Sequence, residues 1–287
     1  MKDNNYIINY VPFNKLTDDI MKDSTIIIMC VYVKINNLIT KYINKIVPYI
    51  TEPIEFFYTA IYDQYVSNRF RLSIGCVPSN STNIKIPHYI DWGFTPELAK
   101  NANEYVNTIS IEEIRNKKFA CLINRHDNGN TRTNIYNKLK NIGKIVCPSK
   151  LFNNFSNKEF ENIGRLDFQK QFIFNICPEN FVTKLDGYVT EKIWMACRSG
   201  NIPIYYGKLD DYDIKIFNMK RVIWFNPLSE ESINETVEFV KELATNEEVL
   251  FTYYKQDIFL DTSAETFNFY TDDLNKRLNK FISENNL

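Results

Sequence analysis

At 287 residues the chain exceeds what one hydrophobic core usually holds, and 44% hydrophobic with 15% aromatic residues excludes a disordered chain. A net charge of −1 excludes the broad positive field that gathers nucleic acid or an anionic membrane. Only two histidines, His88 and His126, are present; this excludes a multi-histidine zinc centre and leaves most proton chemistry to carboxylates.

In chain order, the polar, Asn-rich Met1 to Leu16 lacks the basic start and apolar core of a signal peptide. The run from Thr25 to Val33 falls far short of the roughly 20 residues of a membrane helix and reads as a buried strand. The six cysteines form no C-x-x-C pair and several sit in apolar runs, which suits a reducing compartment. A soluble, cytoplasmic protein without a transmembrane anchor is expected. Asn36 to Ile46 carries apolar residues at helical spacing, and Ile54 to Thr59 reads as the next strand of a βαβ unit. Short strands follow at Arg71 to Val77 and Ile84 to Ile90, and Thr95-Pro96-Glu97 opens a helix with a cap and Pro at its first position.

A new buried strand begins at Lys118 and runs to Asn124, behind a charged stretch, which puts a domain boundary near residue 110. Asp127 to Asn130 is a polar turn. A helix from Thr131 to about Asn141, a strand Lys144 to Cys147 and a helix Asn157 to about Gln171 come next. Phe172 to Cys177 is a strand, Thr190 to Ser199 a helix closed by Gly200, and Ile202 to Tyr206 and Arg221 to Phe225 are strands. The alternation predicts an α/β chain with two doubly wound domains: 1–110, 111–262, and a C-terminal helix over 263–287 packing across them, with Phe267, Tyr270, Leu274, Leu278 and Phe281 on one face.

The stretch from Phe172 to Gly207 reads strand, polar loop, helix, strand. Ligands of open α/β sheets bind beyond the carboxyl ends of strands, so the loop Glu179 to Tyr188 is the expected site. Thr190 caps a helix whose free N–H groups suit a diphosphate, and Lys192 adds a full charge. The Glu191 carboxylate suits ribose hydroxyls, and Tyr188 suits a stacked base. Taken alone, Thr190-Glu191-Lys192 also reads as an ordinary capped helix start.

The segment closely resembles the pattern of the α-1,3/1,4-fucosyltransferases, glycosyltransferase family ten, approximately F-x-x-x-x-E-N…Y-V-T-E-K…G-x-x-P-x-x-x-G. The matching positions are Phe174, Glu179, Asn180, Tyr188, Val189, Thr190, Glu191, Lys192, Gly200, Pro203 and Gly207. Thr131-Arg132 corresponds to the family's phosphate-binding arginine. The resemblance implies a GT-B fold, with two Rossmann-like domains facing across a cleft and C-terminal helices. It also implies inverting transfer of L-fucose from GDP-fucose to a hydroxyl of an acceptor oligosaccharide or glycoconjugate, with an α-1,3-type linkage and no required cofactor or metal. Arg132 and Lys192 would bind the diphosphate, Glu191 the ribose, and Tyr188 with Asn180 the nucleotide or fucose.

Inversion needs a carboxylate base from the N-terminal domain. Where the family has an F-T-G-E-like run, this chain has Phe57-Tyr58-Thr59-Ala60-Ile61, so the base position holds Ile61. Asp63 is the candidate base, with Glu52, Glu55 and Asp91 as alternatives. Two other readings stay open: an inactive nucleotide- or glycan-binding relative, and a transferase using another donor such as GDP-mannose. The acidic run Asp210-Asp211-Tyr212-Asp213 is expected to be a solvated loop rather than a cation site. His126 and His88 read as hydrogen-bonded structural residues, and Trp92 as a core or interface aromatic with the alternative of flooring an acceptor sugar.

Overall fold

The apolar run near the N-terminus is strand β1 (Ile27–Cys30) in the computed structural model, which describes residues 9–30, 36–52, 70–76, 79–183 and 186–284. The chain divides into two compact units, one of Met1–Pro87 with Asn268–Leu287 and one of His88–Phe267.

In the first unit, β1, β2 (Ile46–Ile50), β3 (Ser73–Gly75) and β4 (Asn83–Lys85) form a parallel sheet in that order. The expected helix after β1 is a single turn and a half, Asn37–Lys41, capped by the Asn36 side chain on the Ile39 amide at 2.9 Å. The partner of β1 is β2, with Met29 opposite Pro48. Sequence reading passes over this strand because a proline inside a central strand removes a ladder donor and argues against the assignment. The strand expected at Ile54 to Thr59 lies outside the described residues. Helix Ser263–Glu284 enters this unit from Asn268, and its stripe is seated through buried Tyr270 and Phe281. Arg277 clamps it to the β4 approach through the carbonyls of Asn83 at 2.8 Å and Asn80 at 2.7 Å.

In the second unit, β5 (Lys118–Cys121), β6 (Ile145–Val146), β7 (Phe172–Ile176), β8 (Ile202–Tyr205) and β9 (Ile223–Trp224) are all parallel, in the order β6-β5-β7-β8-β9. The buried faces of β7 and β8 explain their unbroken apolar runs. The chain leaves β5 toward β6 on one side and returns to β7 on the other, so the strand order reverses between β5 and β7. This is the switch point at which open α/β sheets leave a crevice beyond the strand ends.

The structural division falls at Pro87 rather than near residue 110 because helix Pro96–Thr108 is tied into the second unit. Its Asn103 accepts from the amides of Ile258 and Phe259 at 2.8 and 2.9 Å and donates to the Phe259 carbonyl at 2.9 Å. The Thr95 cap and Pro at the helix start are as the sequence reads. The single helix expected from Asn157 to Gln171 is two, Asn157–Ile163 and Arg165–Gln169, because Gly164 at φ 80° turns the chain between them. Among the described residues no helix is long and apolar enough to cross a membrane.

A pocket of about 450 Å³ at the amino end of this sheet is lined by Tyr105, Glu113, Lys117, Lys118 and Gln171. Burial pulls the Lys117 amine from its ordinary 10.5 to about 8, with Glu113 opposing and Lys170 reinforcing the fall. Between pH 8 and 10.5 the unfolded chain therefore holds more protons on this group than the folded chain does. Stability from Lys117 is complete above pH 10.5 and is lost as pH falls toward 8. Lys117→Met is accordingly expected to raise the thermal midpoint by about 2 °C at pH 7.5 and to leave it unchanged at pH 10.5. Differential scanning fluorimetry at the two pH values checks this, and an equal shift at both would contradict it.

Candidate functional site

The two loops leaving the switch point, residues 122–132 after β5 and 177–190 after β7, are bound to each other. Thr131 Oγ1 donates to the Glu179 carbonyl at 2.7 Å. The Arg132 guanidinium spans the gap, donating to the carbonyls of His126 at 2.9 Å and Pro178 at 3.0 Å and to Asn180 Oδ1 at 2.8 Å. Gly129 lies so close to the Asn180 carbonyl that a β-carbon there would collide with it, so only glycine allows the approach.

Asp127 holds the start of helix Thr133–Leu139. Its carboxylate accepts from the amides of Thr131 at 2.9 Å, Arg132 at 3.1 Å and Thr133 at 2.8 Å, and from the Thr133 hydroxyl at 2.6 Å. The sequence marks Asp127 only as a turn residue. In the fold it takes up the first helix amide, that of Thr133, together with those of the two residues before the helix.

Arg132 is wholly buried. Burial lowers its pKa from the ordinary value, and the carboxylates of Asp127 and Glu179 oppose that. A guanidinium stays charged through such a shift. Three of its five N–H groups are used, and Nε has no partner among the described residues. A buried, partnerless N–H beside a strand-end loop is the kind of donor an anionic ligand satisfies.

Glu179 is the residue to which the second loop is fastened, and sequence reading assigns it no separate role. Fully buried, it accepts from the Thr190 amide at 2.8 Å, the Thr190 hydroxyl at 2.7 Å, Tyr205 Oη at 3.0 Å and Lys192 Nζ at 3.2 Å. Burial, and after it the Glu179 charge, pushes the Tyr205 hydroxyl well above its usual pKa, so it remains a donor. The signal available in the sequence is an acid and a proline set directly after a buried apolar strand, where a carboxylate requires partners.

Lys192 also meets Thr190 Oγ1 at 2.9 Å and is nearly buried, so it is a structural ion-pair partner as well as a candidate ligand. Tyr188 is buried too, 3% exposed. Gly187 donates to the Lys208 carbonyl at 2.7 Å and fixes the chain just before it.

Glu191, the first residue of helix Glu191–Arg198, keeps a small exposed surface. His88 Nδ1 stands 3.8 Å from one carboxylate oxygen; Arg165 at 3.7 Å and Lys192 at 3.8 Å face the other. Burial alone would raise its pKa, but Lys192, Arg165 and His88 outweigh it and hold the carboxyl below its usual value. His126 contributes its backbone carbonyl to Arg132, and His88 its ring to the Glu191 cluster.

The acidic run is the solvated loop expected at Asp211 and Tyr212, which are exposed, but not at its end. Asp213 is buried and accepts from Tyr89 Oη at 2.9 Å and the Asp210 amide at 3.1 Å, because the short helix Asp213–Lys215 turns it inward. The candidate base Asp63, with Ile61 and Glu55, lies outside the described residues. Glu52 follows β2 in the first unit, and Asp91 is an exposed residue of the second, 3.5 Å from His88 Nε2.

Fold and site together define a doubly wound α/β chain of the GT-B class. An α1,3-fucosyltransferase crystal structure with GDP aligns at a TM-score of 0.53 and 20% identity, over 81% of this chain and 75% of that one. One with GDP-fucose aligns at 0.52 and 20%, over 80% and 74%. The model of the C-terminal region of glycosyltransferase family 10 (fucosyltransferase) matches residues 113–272, and the chain belongs to that family. The α-(1,3)-fucosyltransferase FucT of Helicobacter pylori is 32% identical over 128 residues, 45% of this chain and a quarter of the length of that protein.

Proposed function

We propose that the protein is an inverting transferase that moves L-fucose from GDP-fucose to a hydroxyl of an acceptor glycan, with an α-1,3-type linkage and no required metal. The observation that carries this reading is the family match over 113–272, which encloses the buried Arg132, the Glu179–Lys192 pair and Glu191 at one switch point. GDP would lie along the loop 178–190, with its diphosphate on Arg132 and Lys192. Its ribose hydroxyls would donate to Glu191, and Asn180 with Tyr188 would border the nucleotide or fucose.

Arg132 is buried, so a diphosphate reaches its open Nε only as the residues that cover it move aside. In the reaction, a carboxylate of the first unit, with Asp63 the candidate, takes the proton of the acceptor hydroxyl. The oxygen attacks the fucose anomeric carbon from the face opposite the phosphate, the bond to GDP breaks, and the cations stabilise the phosphate charge that develops.

Calorimetric titration with GDP and GDP-fucose in EDTA tests the donor half of this proposal. Binding is expected for both ligands, and Lys192→Ala and Arg132→Ala should each weaken it about tenfold or more. Unchanged affinity in both variants would sink the site assignment. GDP-fucose binding without turnover on any acceptor would favour the inactive relative suggested by Ile61. A donor panel that selects GDP-mannose would move the reading to another sugar.

A further inference from the structure

Two cations and a histidine ring surround the carboxylate of Glu191, yet none of them is bonded to it. Arg165, Lys192 and His88 stand at 3.7, 3.8 and 3.8 Å, beyond hydrogen-bond distance, with His88 on one oxygen and the other two on its mate. Such an arrangement fixes the charge and aim of the carboxylate while leaving lone pairs for hydroxyl donors. The cage is itself braced. The Arg165 guanidinium lies over the Trp92 ring, 5.8 Å from its centroid, and its Nε has no hydrogen-bond partner among the described residues. Trp92 Nε1 donates to His88 Nε2 at 3.2 Å, so the N–H that faces Glu191 is the one on Nδ1. The Trp92 carbonyl accepts from Trp194 Nε1 at 3.2 Å, on the same helix as Glu191. Asp91 Oδ2 borders His88 Nε2 at 3.5 Å. A closed circuit Glu191, Arg165, Trp92, His88 results, assembled from three separate segments of the second unit.

We propose that Arg165 and His88 are positioning residues that aim the Glu191 carboxylate at the ribose hydroxyls of a nucleoside diphosphate. The inference rests on the ribose role given to Glu191 under Proposed function. Arg165 acts through Glu191 and makes no contact with the nucleotide. Its placement depends on the turn at Gly164, which makes it the first residue of helix Arg165–Gln169.

The test compares GDP with 2′,3′-dideoxy-GDP by calorimetry, the affinity ratio reporting ribose recognition alone. Glu191→Gln is expected to bring the ratio toward one. Arg165→Met should lower it about fivefold, Arg165→Lys should restore part of that loss, and the double variant should be no worse than Glu191→Gln. His88→Gln should act in the same direction as Arg165→Met. A merely structural role for Arg165 would weaken both ligands equally. If Glu191→Gln loses the discrimination and both Arg165 variants keep the full ratio, the positioning role is overturned and the ribose reading stands. A wild-type ratio in Glu191→Gln itself overturns the ribose reading, and the inference with it.

Discussion

Glu179→Ala is expected to destabilise the protein by about 3–5 kcal/mol, the cost of stranding one member of a buried ion pair, and to abolish measurable GDP binding. The carboxylate is fully buried and holds four donors: the amide and hydroxyl of Thr190, Tyr205 Oη and Lys192 Nζ. Removing it leaves the Lys192 ammonium beside Thr190 with only the Glu191 carboxylate, 3.8 Å away and beyond hydrogen-bond distance, as counter-charge. It also frees the residue that caps helix Glu191–Arg198, so the helix start on which both Glu191 and Lys192 ride loses its anchor. Glu179→Gln keeps the shape and one acceptor but not the charge, and should fall between wild type and Ala in stability. Urea unfolding gives the first quantity and calorimetry the second. A Glu179→Ala protein that unfolds like wild type would refute the claim that this carboxylate organises the loop.

That carboxylate marks the boundary between what the sequence discloses and what it does not. Strands β5, β7 and β8 are legible because a covered parallel strand writes itself as a continuous apolar run, and the caps at Thr95 and Thr190 because capping is local. The candidate-site residues Arg132, Asn180, Glu191 and Lys192 are legible through the family pattern. Their mutual arrangement is not, since Arg132 reaches Asn180 only because β5 and β7 are neighbours, a fact of sheet order rather than of spacing. β2 is hidden by Pro48, and Arg165 by Gly164, which breaks an amphipathic stretch that periodicity reads as one helix. Asp213 defeats the expectation that a charged run is solvated, because Tyr89, distant in sequence, supplies a buried donor. Long-range polar contacts are the part of the site that periodicity and local propensity do not encode.

The second large effect is expected from Arg132→Lys, a substitution that keeps the charge. The guanidinium joins three acceptors on two loops, the carbonyls of His126 and Pro178 and the side chain of Asn180, in directions that a single ammonium cannot match from a shorter reach. Hydrogen bonds to a charged donor contribute about 1.5–3 kcal/mol each when lost. With lysine recovering one of them, two are lost and a net loss of roughly 3–6 kcal/mol is expected. The affinity for GDP should fall at least about tenfold, close to the loss in Arg132→Ala, because the open Nε disappears in both. The comparison separates two roles that the wild-type protein merges. If charge alone mattered at the diphosphate, lysine would bind GDP nearly as well as arginine despite its lower stability. If the planar fork matters, stability and affinity fall together, and removing Asn180 Oδ1 by Asn180→Ala on top of Arg132→Lys should add little to either loss. Urea unfolding and calorimetry on the wild type, the single variant and the double variant decide between these outcomes.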